Sequence, residues 1–235
     1  MNDGRVLNFE DVVSNQLSTS LDSITISHDK NIPFDTSSFK WTYKVVDDRG
    51  DSLPSGWSAK DIGWVWKKGS TSVEGGKVKV KASGLDIWSI GDSFHYISRT
   101  LSGDGEIVAR INKLDKSHKW AKAGVMIRET DWVGSKHAFL LMTPDQGVDF
   151  QYRSSTSWVT KSKGLKSYEM GSWMKLKREG NKFTAFVSED RETWTEISSV
   201  SISMNASVKI GLAITSHHWF KYTNAEFENM WVEQY

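Results

Sequence analysis

At 235 residues, with 38% apolar and 25% charged residues, the chain has the size and balance of one large soluble all-β domain, or of one domain with an appendage. Thirty basic residues stand against 29 acidic ones, scattered rather than striped, which argues against a nucleic-acid partner. The lack of cysteine excludes disulfides, thiolate metal sites and a cysteine nucleophile, and no apolar run is long enough for a membrane-spanning helix.

Residues 1–40 are rich in Ser, Asp and Asn. They are expected to form an extended lead-in or linker, with SITI (23–26) as a candidate edge strand. The first residues, MNDGRVLNFED, lack the basic region and apolar core of a signal peptide. From Trp41 to Tyr235 a period-2 pattern dominates, and this stretch is expected to be one β-sandwich domain. KVKVKA (77–82) alternates Val78 and Val80 against lysines. GEIVARI (105–111) puts Ile107, Ala109 and Ile111 on one face, and KFTAFVS (182–188) does the same with Phe183, Ala185 and Val187.

Further strands are predicted at 94–99, 122–129, 136–143, 148–154, 173–179, 208–216 and 225–233. Turn signals separate them: SGDG (102–105), TPDQG (143–147), REGN (178–181) and SEDRE (188–192). No stretch of helical length carries a 3.6-residue apolar period. Ten or more short strands at this spacing predict an all-β fold, a two-sheet antiparallel sandwich with a concave and a convex face. Within it, GLDIWSIGDSFHYISRTLSGDG (84–105) reads as a turn-rich stretch, a strand and a hairpin turn. Gly84 and Gly91 are able to supply positive φ there, and His95 shares a strand face with Ile97 and Arg99.

That run, together with WAKAGVMIRE, GSKHAFLLMTPDQGVDFQYR, NKFTAFVSEDRETWTEI, GLAITSH and AEFENMWV, resembles a bacterial module of the concanavalin A-like, laminin G-like jelly-roll group. It looks like the relatives grouped with "regulation of enolase protein" sequences, modules attached to secreted glycoside hydrolases. The resemblance covers roughly 56–233. It implies a concanavalin A-like jelly roll, a bacterial extracellular or cell-surface setting, a polysaccharide or oligosaccharide ligand, and a neighbouring catalytic domain in a larger protein. Two departures stand out. The hairpin usually written Ser-x-Asp-Gly-x-x-Trp is here Ser188-Glu189-Asp190-Arg191-Glu192-Thr193-Trp194, and the late Phe-Asp-Asn element is Phe227-Glu228-Asn229.

Three chemistries are open to this frame. A glycosidase needs two carboxylates about 5–9.5 Å apart, depending on mechanism. Glu226 and Glu228 fall on one face of a strand at a compatible spacing, as they would in any Glu-x-Glu strand, and Glu129 and Asp131 are weaker candidates. A structural Ca²⁺, as jelly-roll binding modules often use, would draw on oxygen ligands such as Asp92, Asp104 and Glu228, with Asp61 and Asp86 nearby in sequence. Histidines 95, 137 and 217 lie at three different strands and could gather into a site, although separate hydrogen-bonded histidines are the simpler reading.

Carbohydrate binding needs flat apolar rings beside planar polar groups. The twelve tryptophans supply the rings. The candidate ligand-binding residues are Trp88, His95, Trp120, Arg128, His137, Gln151, Arg153, Trp158 and His217. Trp64, Trp66 and Trp132 could also present rings. The leading expectation is a non-catalytic carbohydrate-binding module. A structural or protein-interaction jelly roll, and a glycoside hydrolase or polysaccharide lyase working through a concave groove, are the alternatives.

Overall fold

A computed structural model describes residues 53–235; the expected lead-in at 1–40 lies outside the described residues. Sixteen strands follow in chain order. β1 (Ser58–Ile62), β2 (Ser70–Glu74), β3 (Lys77–Gly84), β4 (Ile87–Trp88) and β5 (Gly91–Asp92) come first. β6 (Phe94–Ser102), β7 (Gly105–Leu114), β8 (Lys122–Arg128), β9 (His137–Thr143), β10 (Gly147–Arg153) and β11 (Lys161–Ser162) form the middle. β12 (Trp173–Glu179), β13 (Lys182–Ser188), β14 (Thr195–Ser201), β15 (Ser207–Thr215) and β16 (His218–Gln234) complete the chain. No helix occurs among the described residues.

Two seven-stranded antiparallel sheets form the expected sandwich, a jelly-roll arrangement. Sheet one runs β1-β6-β15-β8-β9-β10-β11, and sheet two runs β14-β13-β12-β7-β16-β3-β2. The alternation read from sequence lands where it should. Val78, Val80, Ile107, Ala109, Ile111, Phe183, Ala185 and Val187 all point between the sheets. There they meet Ile97, Val125, Ile127, Leu140, Phe150, Ile210 and Leu212 of sheet one.

Sheet one is also covered on its outer face. Phe94, Tyr96, Met126, Phe139, Leu141 and Ala213 form a second apolar cluster there, closed by Ile62, Ile87 and Val133. β8 and β9 are therefore buried along their whole length, on both faces. The cover consists of the β4–β5 hairpin and the segments 129–136 and 154–160. Gly84 starts the hairpin at φ +135°, in a conformation that L-residues rarely adopt, and a Cβ there would lie 2.1 Å from the Ser93 carbonyl oxygen. The chain thus leaves β3 and returns to β6 through a pinched neck. Gly91 is not in a positive-φ conformation; the left-handed residue of this hairpin is Ser89, at φ 54°.

Candidate functional site

The cover over sheet one is tied down by charge. Asp92 accepts from Arg153 at 2.6 Å and 2.8 Å and from Arg128 at 3.1 Å, with all three side chains fully buried. The remaining guanidinium donors reach loop carbonyls. Arg153 donates to Ser89, Ser135 and Trp158, and Arg128 donates to Thr130 and Trp132. Burial holds Arg128 below its usual pKa, against the pull of Asp92. His137 lies in the same cluster, Nδ1 3.8 Å from Asp92, and burial pushes its pKa down to about 3. The imidazole is neutral, and its Nε2 is buried with no hydrogen-bond partner.

Beside this clamp lies a shallow cleft of about 440 Å³, lined by Trp64, Trp88, Trp219, Leu85, Asp86 and His217, among others. Trp64, Trp88 and Trp219 are 58%, 39% and 43% exposed. Trp64 packs at 5.3 Å from both Trp66 and Trp219, and Trp66 at 5.1 Å from Phe220. These four rings form one exposed aromatic cluster. Large apolar side chains left in water cost free energy and mark contact surfaces.

The polar floor of the cleft is Asp86. Its Oδ1 lies 2.6 Å from the Lys122 ammonium and accepts from the Ile87 amide, and its Oδ2 lies 3.3 Å from His217 Nδ1 at ion-pair distance without hydrogen-bond geometry. Burial alone would raise the Asp86 pKa, but His217 and Lys122 together outweigh it and hold the carboxyl below its ordinary value. Lys122 is itself buried. It lies under the Trp88 ring at 5.3 Å and bonds Gln151, which in turn donates to Asp149. His217 stacks on His118, with ring centroids 4.3 Å apart.

Of the residues singled out in the sequence, Trp88 and His217 line this cleft. Arg128, His137 and Arg153 are wholly buried in the Asp92 clamp, and Gln151 is buried against Lys122. Trp158 stands exposed on the 154–160 loop, and Trp120 is half-buried in the β7–β8 connection. His95 does not look outward from sheet one. It points between the sheets, where Asp61 (2.7 Å) and Thr71 (2.9 Å) occupy its two nitrogens, because it shares parity with Ile97. The three histidines 95, 137 and 217 are not brought together; each has a different carboxylate beside it.

Among the described residues no group of three or more His, Asp or Glu is placed to hold a metal ion. The oxygens of Asp92 are held by two arginines, Asp104 caps the Gly180 amide at 2.6 Å, and Glu228 pairs with Arg110 at 2.9 Å. Glu226 pairs with Lys77 at 3.0 Å, so both carboxylates of the Glu-x-Glu strand are matched by cations. Hydrogen bonding from Asn112, then the Arg110 charge, keeps Glu228 below the usual carboxylate range. A glycosidase general acid needs the opposite shift. Glu129 and Asp131 are paired as well, with Lys136 and Lys60.

Trp219, Phe220 and Lys122 were not anticipated as site residues. HHWFKY (217–222) breaks the apolar alternation with two consecutive aromatics among polar residues, a pattern of exposed rings. Trp64 and Trp66, which could present rings, do stand exposed, in the β1–β2 connection.

No protein-family model matches the sequence, and no curated protein matches it. Solved structures do resemble the fold. A functionally unknown protein from Saccharomyces cerevisiae superposes with a TM-score of 0.62 at 16% identity, over 77% of this chain and 97% of that one. The GH43 BlXynB protein from Bacillus licheniformis gives a TM-score of 0.61 at 14% identity, over 84% of this chain and 40% of its own. A xylan beta-1,4-xylosidase from Bacillus halodurans C-125 gives 0.55 at 12% identity, over 87% and 41%. The chain therefore spans about two fifths of the length of the two Bacillus proteins. At these identities the likeness is one of fold.

Proposed function

We propose that this chain is a carbohydrate-binding module whose ligand sits in the cleft between Trp64, Trp88 and Trp219. The observation that carries the reading is the pairing of exposed indoles with an anionic carboxylate at the cleft floor. The C–H face of a sugar ring stacks on an indole, and a hydroxyl donates to Asp86, which as a carboxylate only accepts. Lys122 beneath keeps Asp86 ionised and oriented, and His217 at the rim is a second hydrogen-bonding group. Arg128, Arg153, His137 and Gln151 contribute from underneath by holding the loops, not by touching the sugar.

The reading favours binding over bond cleavage, since the carboxylates of β16 are tied to Lys77 and Arg110 on neighbouring strands of their own sheet. Fold likeness to about two fifths of a GH43 protein and of a xylosidase is in keeping with a setting beside a catalytic domain. Such a module would raise the effective concentration of that domain at its polysaccharide.

Retention on a panel of insoluble and gel-embedded polysaccharides tests the proposal. Wild type should be retained on at least one neutral glycan, and Trp219→Ala and Asp86→Asn should each weaken retention about tenfold, the loss of one stacking ring or one buried hydrogen bond. Absence of retention on every glycan, or wild-type behaviour of both variants, overturns it.

A further inference from the structure

All six exposed tryptophans of the described residues are arranged around a single segment, Leu85–Asp92. Trp64, Trp88 and Trp219 line the cleft, and the Trp64 carbonyl accepts from Ser93 at 2.6 Å. Trp66 joins through Trp64. The other two, Trp132 and Trp158, stand 61% and 58% exposed on separate loops, and neither belongs to the cleft.

Those two loops are stitched to the cleft segment by backbone. The Asp92 amide donates to Val133 at 3.0 Å, Thr160 donates to Ser89 at 2.9 Å, and Ser157 donates to Gly134 at 2.7 Å. Asp92 and Ser89 themselves line the cleft. The Asp92 clamp locks the same three loops from below, and Ser89 and Ser157 are both held at positive φ, an unfavourable conformation for serine. So a rigid base holds Ile90, Trp132, Trp158 and Val159 out in water. Rigidity lowers the ordering cost of binding, which gives such a surface a use.

We infer that Trp132 and Trp158 extend the cleft into a longer track that stacks further sugars of one neutral polysaccharide chain. This rests on the carbohydrate reading of the cleft. Two features select a glycan chain over other occupants. The track continues from the cleft through shared residues, so one linear polymer can follow both. Two of its three loops, DIWSIGD (86–92) and SSTSWVT (154–160), expose aromatic and hydroxyl groups, with both aspartates of the first paired to cations, and in the third, 129–136, Asp131 and Glu129 pair with Lys60 and Lys136. An uncharged polymer with apolar ring faces matches that chemistry. An acidic glycan finds no exposed cation in these two loops to pair with.

The test is affinity against chain length, by calorimetry, with disaccharides to hexasaccharides of β-1,4-xylan, β-1,4-glucan, β-1,4-mannan and β-1,3-glucan. For the series that binds, wild-type affinity should climb beyond the trisaccharide. The double variant Trp132→Ala/Trp158→Ala should keep disaccharide affinity and its urea midpoint, yet lose about 5–10-fold on the hexasaccharide. Affinity that is flat from the disaccharide upward, or a double variant that climbs like wild type, overturns the track while leaving the cleft intact. Wild-type disaccharide binding by Trp219→Ala overturns the cleft instead, and no binding at any length overturns both.

Discussion

Asp92 and Arg153 form a two-pronged ion pair with no exposed side-chain surface, Oδ1 to Nη2 at 2.6 Å and Oδ2 to Nη1 at 2.8 Å. Arg128 adds a second guanidinium to the same carboxylate. One anion thus holds two buried cations, and the excess positive charge is spread over loop carbonyls. Removing one partner of a buried pair costs more than forming it gains, because the other charge is stranded. Asp92→Ala should therefore lower unfolding free energy by about 3–5 kcal/mol in urea titration. Asp92→Asn, which keeps the shape but not the charge, should fall between it and wild type. A midpoint unchanged in Asp92→Ala would show that the clamp does not hold the cover down.

His137 makes stability depend on pH. Burial is the main cause of its depressed value of about 3, with Arg153 and Arg128 opposing protonation further and Asp92 favouring it. In the unfolded chain the imidazole titrates near 6.5, so between these values the unfolded state holds one proton more. Stability is full above about pH 6.5 and falls as the pH drops. From pH 7 to pH 5 the loss should be about 2 kcal/mol, before most carboxylates titrate. His118 is shifted the same way, by burial and then by its His217 neighbour, but it is only half-buried and contributes little. Unfolding of His137→Asn should lack most of the drop. An equal drop in the variant would assign the proton elsewhere.

Each of the ten predicted strands is present, and the strands at 173–179 and 182–188 match β12 and β13 to the residue. Six strands were missed: β4 and β5, the two-residue arms of the small hairpin, and β1, β2, β11 and β14, which are the edges of the two large sheets. Edge strands bury little; TEISSVS of β14 reads as polar loop for that reason. The second cluster over sheet one has no signature in the sequence beyond Arg128, two residues along β8 from the apolar Met126 and on its face. The clamp joins residues 36 and 61 positions apart through Asp92, a separation no periodicity reports. For the same reason Asp92 read as an ion ligand. Trp88 and His217 were separate candidates; their meeting in one cleft depends on the pinched neck at Gly84.

The hairpin that departs from the Ser-x-Asp-Gly-x-x-Trp pattern carries its own cost. Arg191, where that pattern has glycine, sits at φ 70°. Asp190 organises the turn, accepting from the Thr193 and Glu192 amides and from Ser188, and these bonds pull its pKa down to about 2. The Arg191 guanidinium lies 5.2 Å from the Trp173 ring. Arg191→Ala and Arg191→Gly both lose that contact, so the difference between them isolates the backbone. The glycine variant should be the more stable of the two by about 1 kcal/mol in thermal or urea unfolding. Equal stability would mean the turn relaxes out of the left-handed region.

Lys122 sets the charge state that the cleft presents. Its ammonium is buried, 2.6 Å from Asp86, and it helps hold that carboxyl below the usual range despite the opposing effect of burial. A carboxyl with a depressed value stays ionised as the pH falls past the ordinary range of its type, so ligand affinity should be flat from pH 8 to pH 5 in wild type. In Lys122→Met the burial penalty remains while one of its two compensating partners is gone, and only His217 opposes protonation. The affinity of this variant should begin to fall at a higher pH than that of wild type, with the folded fraction checked by circular dichroism at each point. If the two affinity profiles superimpose, Asp86 is not an acceptor for the ligand, or His217 alone suffices to keep it charged; Asp86→Asn separates these, since it lowers affinity only in the second case.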